Sequence, residues 1–208
     1  MTKKEWISYI KNHLKRVDET NKYHPVVIEK TIDTIHSQMF SELYARSPKG
    51  MYKYLKDYTE YITEATVGIN TAIPVTNEPI LLPRVNGGMF DVQFSKSGLM
   101  EAYYCVLIPR NLFKRTIGDI DGPTGTRYDT LGIQGYYMVT YYNGSLYLPV
   151  GLTLNDGITY SILPKFSTLS DSDEVLLPVG AEEVMADRVL DTMRLIPPAD
   201  LQNDNADA

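Results

Sequence analysis

The first third of the chain sets apolar residues at a helical period. Trp6, Ile10, Leu14 and Val17 fall at i, i+4, i+8 and i+11, a single stripe on one helix face. Thr2 and Glu5 precede it with the T-x-x-E spacing of a capping box, in which hydroxyl and carboxylate satisfy the first free amides. A helix over residues 3–17 follows. The polar stretch DETNKYH breaks it, and Pro25 is placed as the first residue of a second helix, where its missing amide hydrogen costs nothing. Ile28, Ile32, Ile35, Met39 and Leu43 carry that helix's stripe. Ser47-Pro48 repeats the cap-then-proline signal, and Met51, Leu55, Tyr58 and Ile62 predict a third helix. Tyr52, Tyr54 and Tyr61 fall on its other face, as contacts for the next domain or another chain. Three such helices joined by short loops predict a small bundle over residues 1–65.

After Ala65 the pattern changes to short β-branched and aromatic runs punctuated by Pro, Gly and Asn, as antiparallel strands require. Strands are predicted over residues 80–85, 89–94, 100–108, 135–142, 145–150 and 158–163. An antiparallel sandwich or barrel over residues 66–178 is the economical arrangement. Asn143-Gly144 predicts a tight hairpin, because both central positions of a type I′ turn need positive φ. In its first strand Tyr136, Met138, Thr140 and Tyr142 share one side, and Tyr137, Val139 and Tyr141 share the other. Both sides are apolar or aromatic, so this hairpin is expected to be covered on both. What covers the second side is left open among the chain itself, a neighbouring subunit and a carbohydrate.

A final helix is predicted from near Ala181. Glu182 and Glu183 in its first turn complement the helix dipole, Met185, Val189 and Met193 form its stripe, and Pro197-Pro198 end it. The segment ADLQNDNADA beyond is small, polar and acidic. The predicted class is therefore α+β: an N-terminal helical bundle, an antiparallel β-domain, and a C-terminal helix with acidic tail over residues 179–208.

Charge sharpens this division. The net charge is −6, yet residues 168–208 alone hold 10 acidic against 2 basic side chains. A general nucleic-acid binder needs a basic face to release phosphate counterions, so that class is disfavoured. The single cysteine, Cys105, can form no internal disulfide and sits in the apolar run AYYCVLI as a small hydrophobe. No apolar run is long enough to span a membrane, and MTKKEWISYI reads as amphipathic helix, not as a signal peptide; synthesis in a reducing cytoplasm is the expectation.

Catalytic equipment is not visible. His13, His24 and His36 match no metal motif, and no G-x-S-x-G elbow is present. The loop DIDGPTGTRYD, residues 119–129, begins like a calcium loop, but Pro123 occupies a ligand position and Thr130 stands where the twelfth-position glutamate belongs. Neither cofactor nor metal is expected. Arg110, Lys114, Arg115 and Arg127 form a basic cluster flanking this loop, suited to a solvated face or to an acidic tail of an adjacent copy.

The order of parts carries a resemblance. The capped helix MTKKEWISYIKNHLK, the second helix PVVIEKTIDTIHSQMFSELY, the proline-punctuated IPVTNEPILLPRVNGGMFDVQF, the strand pair around YYNGSLYLP and the acidic end IPPADLQNDNADA together resemble head-to-tail connector, or neck ring, proteins of tailed bacteriophages, of the crAss-like phage type. The resemblance implies a virion structural protein and no enzyme. It implies a homo-oligomeric ring, usually a dodecamer, that links portal protein to adjacent connector or tail proteins and surrounds the channel through which DNA leaves. Assembly would occur in the host bacterial cytoplasm. A closed ring joins two different patches of neighbouring subunits. Interface positions are assigned on this basis to Tyr137 and Tyr141 of the hairpin, to Arg115, Arg127 and Asp121 of the loop, and to Met193, Asp200 and Asp204 of the C-terminal segment. A carbohydrate-binding β-module, motivated by the tyrosines, and a hydrolase centred on the 119–129 loop are the competing readings.

Overall fold

The computed structural model describes residues 1–17, 23–62, 71–82, 85, 88–95, 102–112, 136–148 and 155–195. The chain divides into two compact units, Met1–Tyr54 with Lys165–Ala208, and Leu55–Pro164. The second is inserted in sequence between the two stretches of the first. Residues 165–178, placed by the sequence pattern in the β-domain, therefore belong with the helices.

In the helical unit, α1 spans Lys3–Val17. Its capping box is formed: Thr2 N donates to Glu5 Oε2 at 2.8 Å, and Glu5 N donates to Thr2 Oγ1 at 3.3 Å. The Thr2 backbone amide holds the Glu5 carboxyl below its ordinary range. Helix α2 spans Pro25–Arg46, with Pro25 in the first turn and His24 as N-cap, its Nδ1 accepting from Val26 N. Helix α3 spans Glu182–Leu195. Trp6, Ile10 and Leu14 from α1, Ile28, Ile32, Ile35 and Met39 from α2, and Met185, Val189 and Met193 from α3 meet in one core, as the stripes predict. Phe166, Leu169 and Val175 from the segment leading to α3 complete it. Arg188 of α3 makes a two-pronged pair with Glu42 of α2, at 3.0 and 3.2 Å.

The third helix is not formed. Pro48–Tyr54 is a 3-10 segment that buries Met51 and Tyr54, and residues 56–61 are a strand. The stripe Met51, Leu55, Tyr58, Ile62 fits a helix, but KDYTEY also alternates with period two, and its ladder to a neighbouring strand decides the matter. With that element gone, the helical bundle is built from α1, α2 and α3.

The β-unit holds seven strands: β1 Lys56–Tyr61, β2 Thr71–Pro74, β3 Met89–Ser95, β4 Ala102–Leu107, β5 Tyr136–Tyr142, β6 Ser145–Leu148 and β7 Gly157–Ile162. They form one nearly closed, barrel-like sheet in the order β1-β7-β3-β4-β5-β6-β2. Strands β1 and β2 escape the sequence pattern. Of the strand predicted at residues 80–85, residues 80–82 and 85 are not strand and residues 83–84 lie outside the described residues; an isolated bridge joins Pro79, just before it, to Pro164. The sheet is not wholly antiparallel, since β4 and β5 run parallel, Tyr104 against Tyr136 through Leu107 against Val139. A parallel pair cannot be joined by a tight turn, and 28 residues separate Leu107 from Tyr136 in sequence. Asn143 and Gly144 adopt φ of 47° and 72°, as the type I′ reading requires.

Val92, Phe94, Val139, Leu146, Leu148, Ile158, Tyr160 and Ile162 fill the interior. Among the described residues a side chain of β1 reaches the segment that follows β2. Glu60 of β1 accepts from Thr76 N at 3.1 Å and from Thr76 Oγ1, just beyond β2, and also from Tyr160 OH at 2.9 Å. Burial and the Glu60 carboxylate together push the Tyr160 phenol up, so it remains a donor.

Candidate functional site

Strand alternation sorts the aromatic residues of β4 and β5. On β4, Tyr103, Cys105 and Leu107 pack against the interior of the sheet. Tyr104 and Val106 therefore face outward, and they are 57% and 45% exposed. On β5, Val139 is fully buried, and so is its neighbour Thr140 on the opposite side. At this position the strand is covered on both faces, as the sequence predicts. Toward the turn the outer face opens: Tyr142 is partly exposed, and the Arg110 guanidinium lies over its ring, 3.4 Å from the centroid. Stacked cations of this kind are held by the ring quadrupole. An outward surface with Tyr104, Val106, Tyr142 and Arg110 results.

The sequence-assigned positions separate. Tyr141 packs against the interior cluster, and burial, aided by the Glu78 carboxylate, pushes its phenol up to about 12. Its ring is thus largely a core group. Tyr137 pairs in register with Cys105, and its side chain lies outside the described residues. Met193 is completely buried in the helical core, so it offers no surface to a neighbour. The helical stripe that singled it out is a packing stripe. Arg115, Arg127, Asp121, Asp200 and Asp204 lie outside the described residues, as does the whole 119–129 loop. The sequence missed Tyr104 and Val106, although alternation through AYYCVLI was the signal that could have found them.

Chemically reactive arrangements do not emerge among the described residues. No group of three or more His, Cys, Asp or Glu is placed to hold a metal ion. Burial pushes the Cys105 thiol up to about 12, far from a thiolate nucleophile. His13 Nδ1 lies 3.0 Å from Tyr9 O, and His24 caps α2. His36 is buried, not on a polar face: its Nε2 lies 2.9 Å from Leu176 O, and its ring meets Phe40 edge-on at 5.0 Å. Desolvation lowers its pKa, which fixes the neutral ring with the Nε2 proton donated to that carbonyl. Among the described residues, the hydrogen-bond partners of the three histidines are backbone groups.

A second surface feature belongs to the helical unit. The extended segment before α3 borders a cleft of about 580 Å³ whose lining includes Leu177, Pro178 and Val179 together with Glu174, Glu182 and Glu183. Gly180, at φ of 75°, turns the chain from this segment into the helix.

No protein-family model matches the chain, and no curated protein matches it. No described helix is long and apolar enough to cross a membrane.

Proposed function

We propose that the protein is a virion structural subunit, one of the copies of a ring in a bacteriophage head-to-tail connector that links portal to tail and surrounds the DNA exit channel. The resemblance of its parts to neck ring proteins motivates the reading. The observation that carries it furthest is the outward side of β4. Tyr104 and Val106 sit on a strand with hydrogen-bonded neighbours on both sides, yet their side chains remain more than two-fifths exposed. Apolar groups in such a position fit a surface that another protein covers. A carbohydrate module has less support, because Tyr141 packs inward and Arg110 already occupies one face of Tyr142.

The test is the mass of the purified chain, by native mass spectrometry or light scattering, alone and then mixed with the portal protein of the same virion. A ring, formed alone or on portal, is the expected result. A monomer indifferent to portal and to tail components overturns the proposal.

A further inference from the structure

A titratable ring is buried where the helical unit has a thin cover. His36 of α2 is 1% exposed, and its Nε2 bonds to the backbone carbonyl of Leu176, in the extended segment before α3, at 2.9 Å. Its Nδ1 has no hydrogen-bond partner among the described residues. The ring meets two fully buried neighbours edge-on, Phe40 at 5.0 Å and Phe166 at 6.4 Å. Phe40 in turn meets Tyr54 edge-on at 5.6 Å.

Leu176, Leu177, Pro178 and Val179 form that cover. The segment is anchored at both ends: Val175 is buried and its amide donates to Met1 O at 3.0 Å, while Gly180 turns the chain into α3. Between these points two side chains tether it among the described residues. One is His36, through Leu176 O, and the other is Tyr54, whose hydroxyl accepts from Val179 N at 3.3 Å. Leu176, Leu177 and Pro178 are half-buried, Val179 is 89% exposed, and all four line the cleft. Water therefore stands one extended segment away from His36.

We infer that Leu176–Val179 is an acid-released strap: protonation of His36 lifts it from α2 while the core of α1, α2 and α3 stays packed. The neutral ring suits the closed strap, since its Nε2 proton goes to Leu176 O and its Nδ1 carries none. Protonation places a second proton on Nδ1, which finds no acceptor among the described residues, and a charge away from water. The bond to Leu176 O and the Asp33 carboxylate favour the charged ring, but desolvation outweighs them. Lys3, 5.8 Å from the Phe166 centroid, is paired with Glu29, and Arg188 of α3 is paired with Glu42. Lys53 lies over the Tyr54 ring at 4.8 Å, and Glu174, Glu182 and Glu183 border the cleft on the strap's far side. Lifting the strap returns the ring to water for the loss of two hydrogen bonds and a few half-buried contacts, a smaller opening than unpacking three helices. The device does not depend on the ring assembly proposed above.

Native-state hydrogen exchange in the full-length protein tests this, with each rate divided by its intrinsic rate at the same pH. The amides of Val179 and of Ala181, which donates to Pro178 O at 3.0 Å, report the strap, and the amide of buried Ile32 reports the core. At pH 7 the strap amides should be protected, less than Ile32 and without sensitivity to low denaturant, as a local opening requires. Their protection should fall about tenfold by pH 5, beginning near pH 6.5 where the released ring takes up its proton. His36→Gln keeps a donor for Leu176 O and does not titrate, so its strap should hold equally at both pH values. His36→Phe lacks the donor, and its strap should be loose at both. The two variants retain every other titratable group, so a wild-type pH response that survives in them overturns the inference. Strap amides that match Ile32 in protection and denaturant slope overturn it too, because His36 then acts only on global unfolding. So do strap amides unprotected at pH 7, or wild-type protection that stays flat to pH 5. If neither variant folds, NMR titration of the wild-type His36 ring decides: a ring that ionises at about pH 6.5 under the closed strap refutes the device, since closed and released forms would bind the proton equally.

Discussion

Lys3 Nζ lies 2.6 Å from Glu29 Oε1 in an ion pair whose lysine end is withdrawn from water. The same ammonium donates to Ser167 O at 2.9 Å and to Leu169 O at 3.0 Å. One side chain near the start of α1 thus ties α2 to the segment that returns from the β-unit to the helices. Backbone bonds extend the tie, with Lys3 N donating to Asp173 O and Val175 N to Met1 O.

Replacing Lys3 by Ala strips two carbonyls and a carboxylate of their donor at once. Because Glu29 keeps partial solvent access, the cost falls at the lower end of the range for breaking buried pairs, about 3 kcal/mol. Denaturant unfolding followed through Trp6, the only tryptophan and itself buried in the helical core, reads this directly. A loss under about 0.5 kcal/mol, the scale of ordinary surface substitutions, would show that the tie is dispensable.

His36 should make stability pH-dependent. Its folded pKa is lowered by burial, opposed by the Leu176 carbonyl and by Asp33 nearby. The unfolded chain therefore takes up the proton first, near pH 6.5. Stability from the neutral ring is fully present above that pH and is lost as pH falls toward the folded pKa, at up to about 1.4 kcal/mol per unit. His36→Phe removes the titration and keeps a ring against Phe40 and Phe166. The wild-type advantage or deficit relative to this variant should shift against the wild type between pH 7 and pH 5. Parallel stability curves over that interval would contradict the assignment.

Much of the helical unit was legible because its stripes are long and its caps are chemical: Thr2 with Glu5, Pro25, and the acidic start of α3 all act within a few residues. Residues 56–61 were not, because Leu55, Tyr58 and Ile62 satisfy a helical period while Tyr58 and Glu60 satisfy a strand period. Only pairing with β7, a hundred residues away in sequence, decides between them. Strand β2 is four residues and ends in proline, too short for any period to show. The parallel β4–β5 pairing leaves no local mark in either strand. Met193 illustrates the matching limit at the site, since core and interface stripes have the same composition until burial separates them.

Two glycines with positive φ should respond differently to alanine. At Gly144, φ is 72° and an added Cβ meets nothing within 4 Å, so only the left-handed backbone resists, at about 1 kcal/mol. At Gly88, φ is 68° and the Cβ would stand 2.3 Å from the Ile80 carbonyl oxygen. The backbone there must move as well, which raises the cost to about 2–3 kcal/mol. Thermal unfolding of the two variants should rank Gly88→Ala clearly below Gly144→Ala, and the reverse order would disprove the close approach.

Glu60 joins the two ends of the curled sheet, and its removal should loosen them selectively. Bonds to an ionised carboxylate contribute about 1.5–3 kcal/mol each at most, reduced where water can compete. Glu60 is half-exposed, so Glu60→Ala is expected to lower stability by about 2 kcal/mol. Glu60→Gln retains an acceptor for Thr76 N and should lose roughly half of that. The more telling readout is local. The Thr76 amide, held by Glu60 at 3.1 Å, should exchange its hydrogen faster in Glu60→Ala, while amides of the central β3–β7 ladder change only as far as global stability falls. Uniform acceleration across the sheet would mean that Glu60 supports the whole unit and does not act as a clasp between β1 and the end of β2.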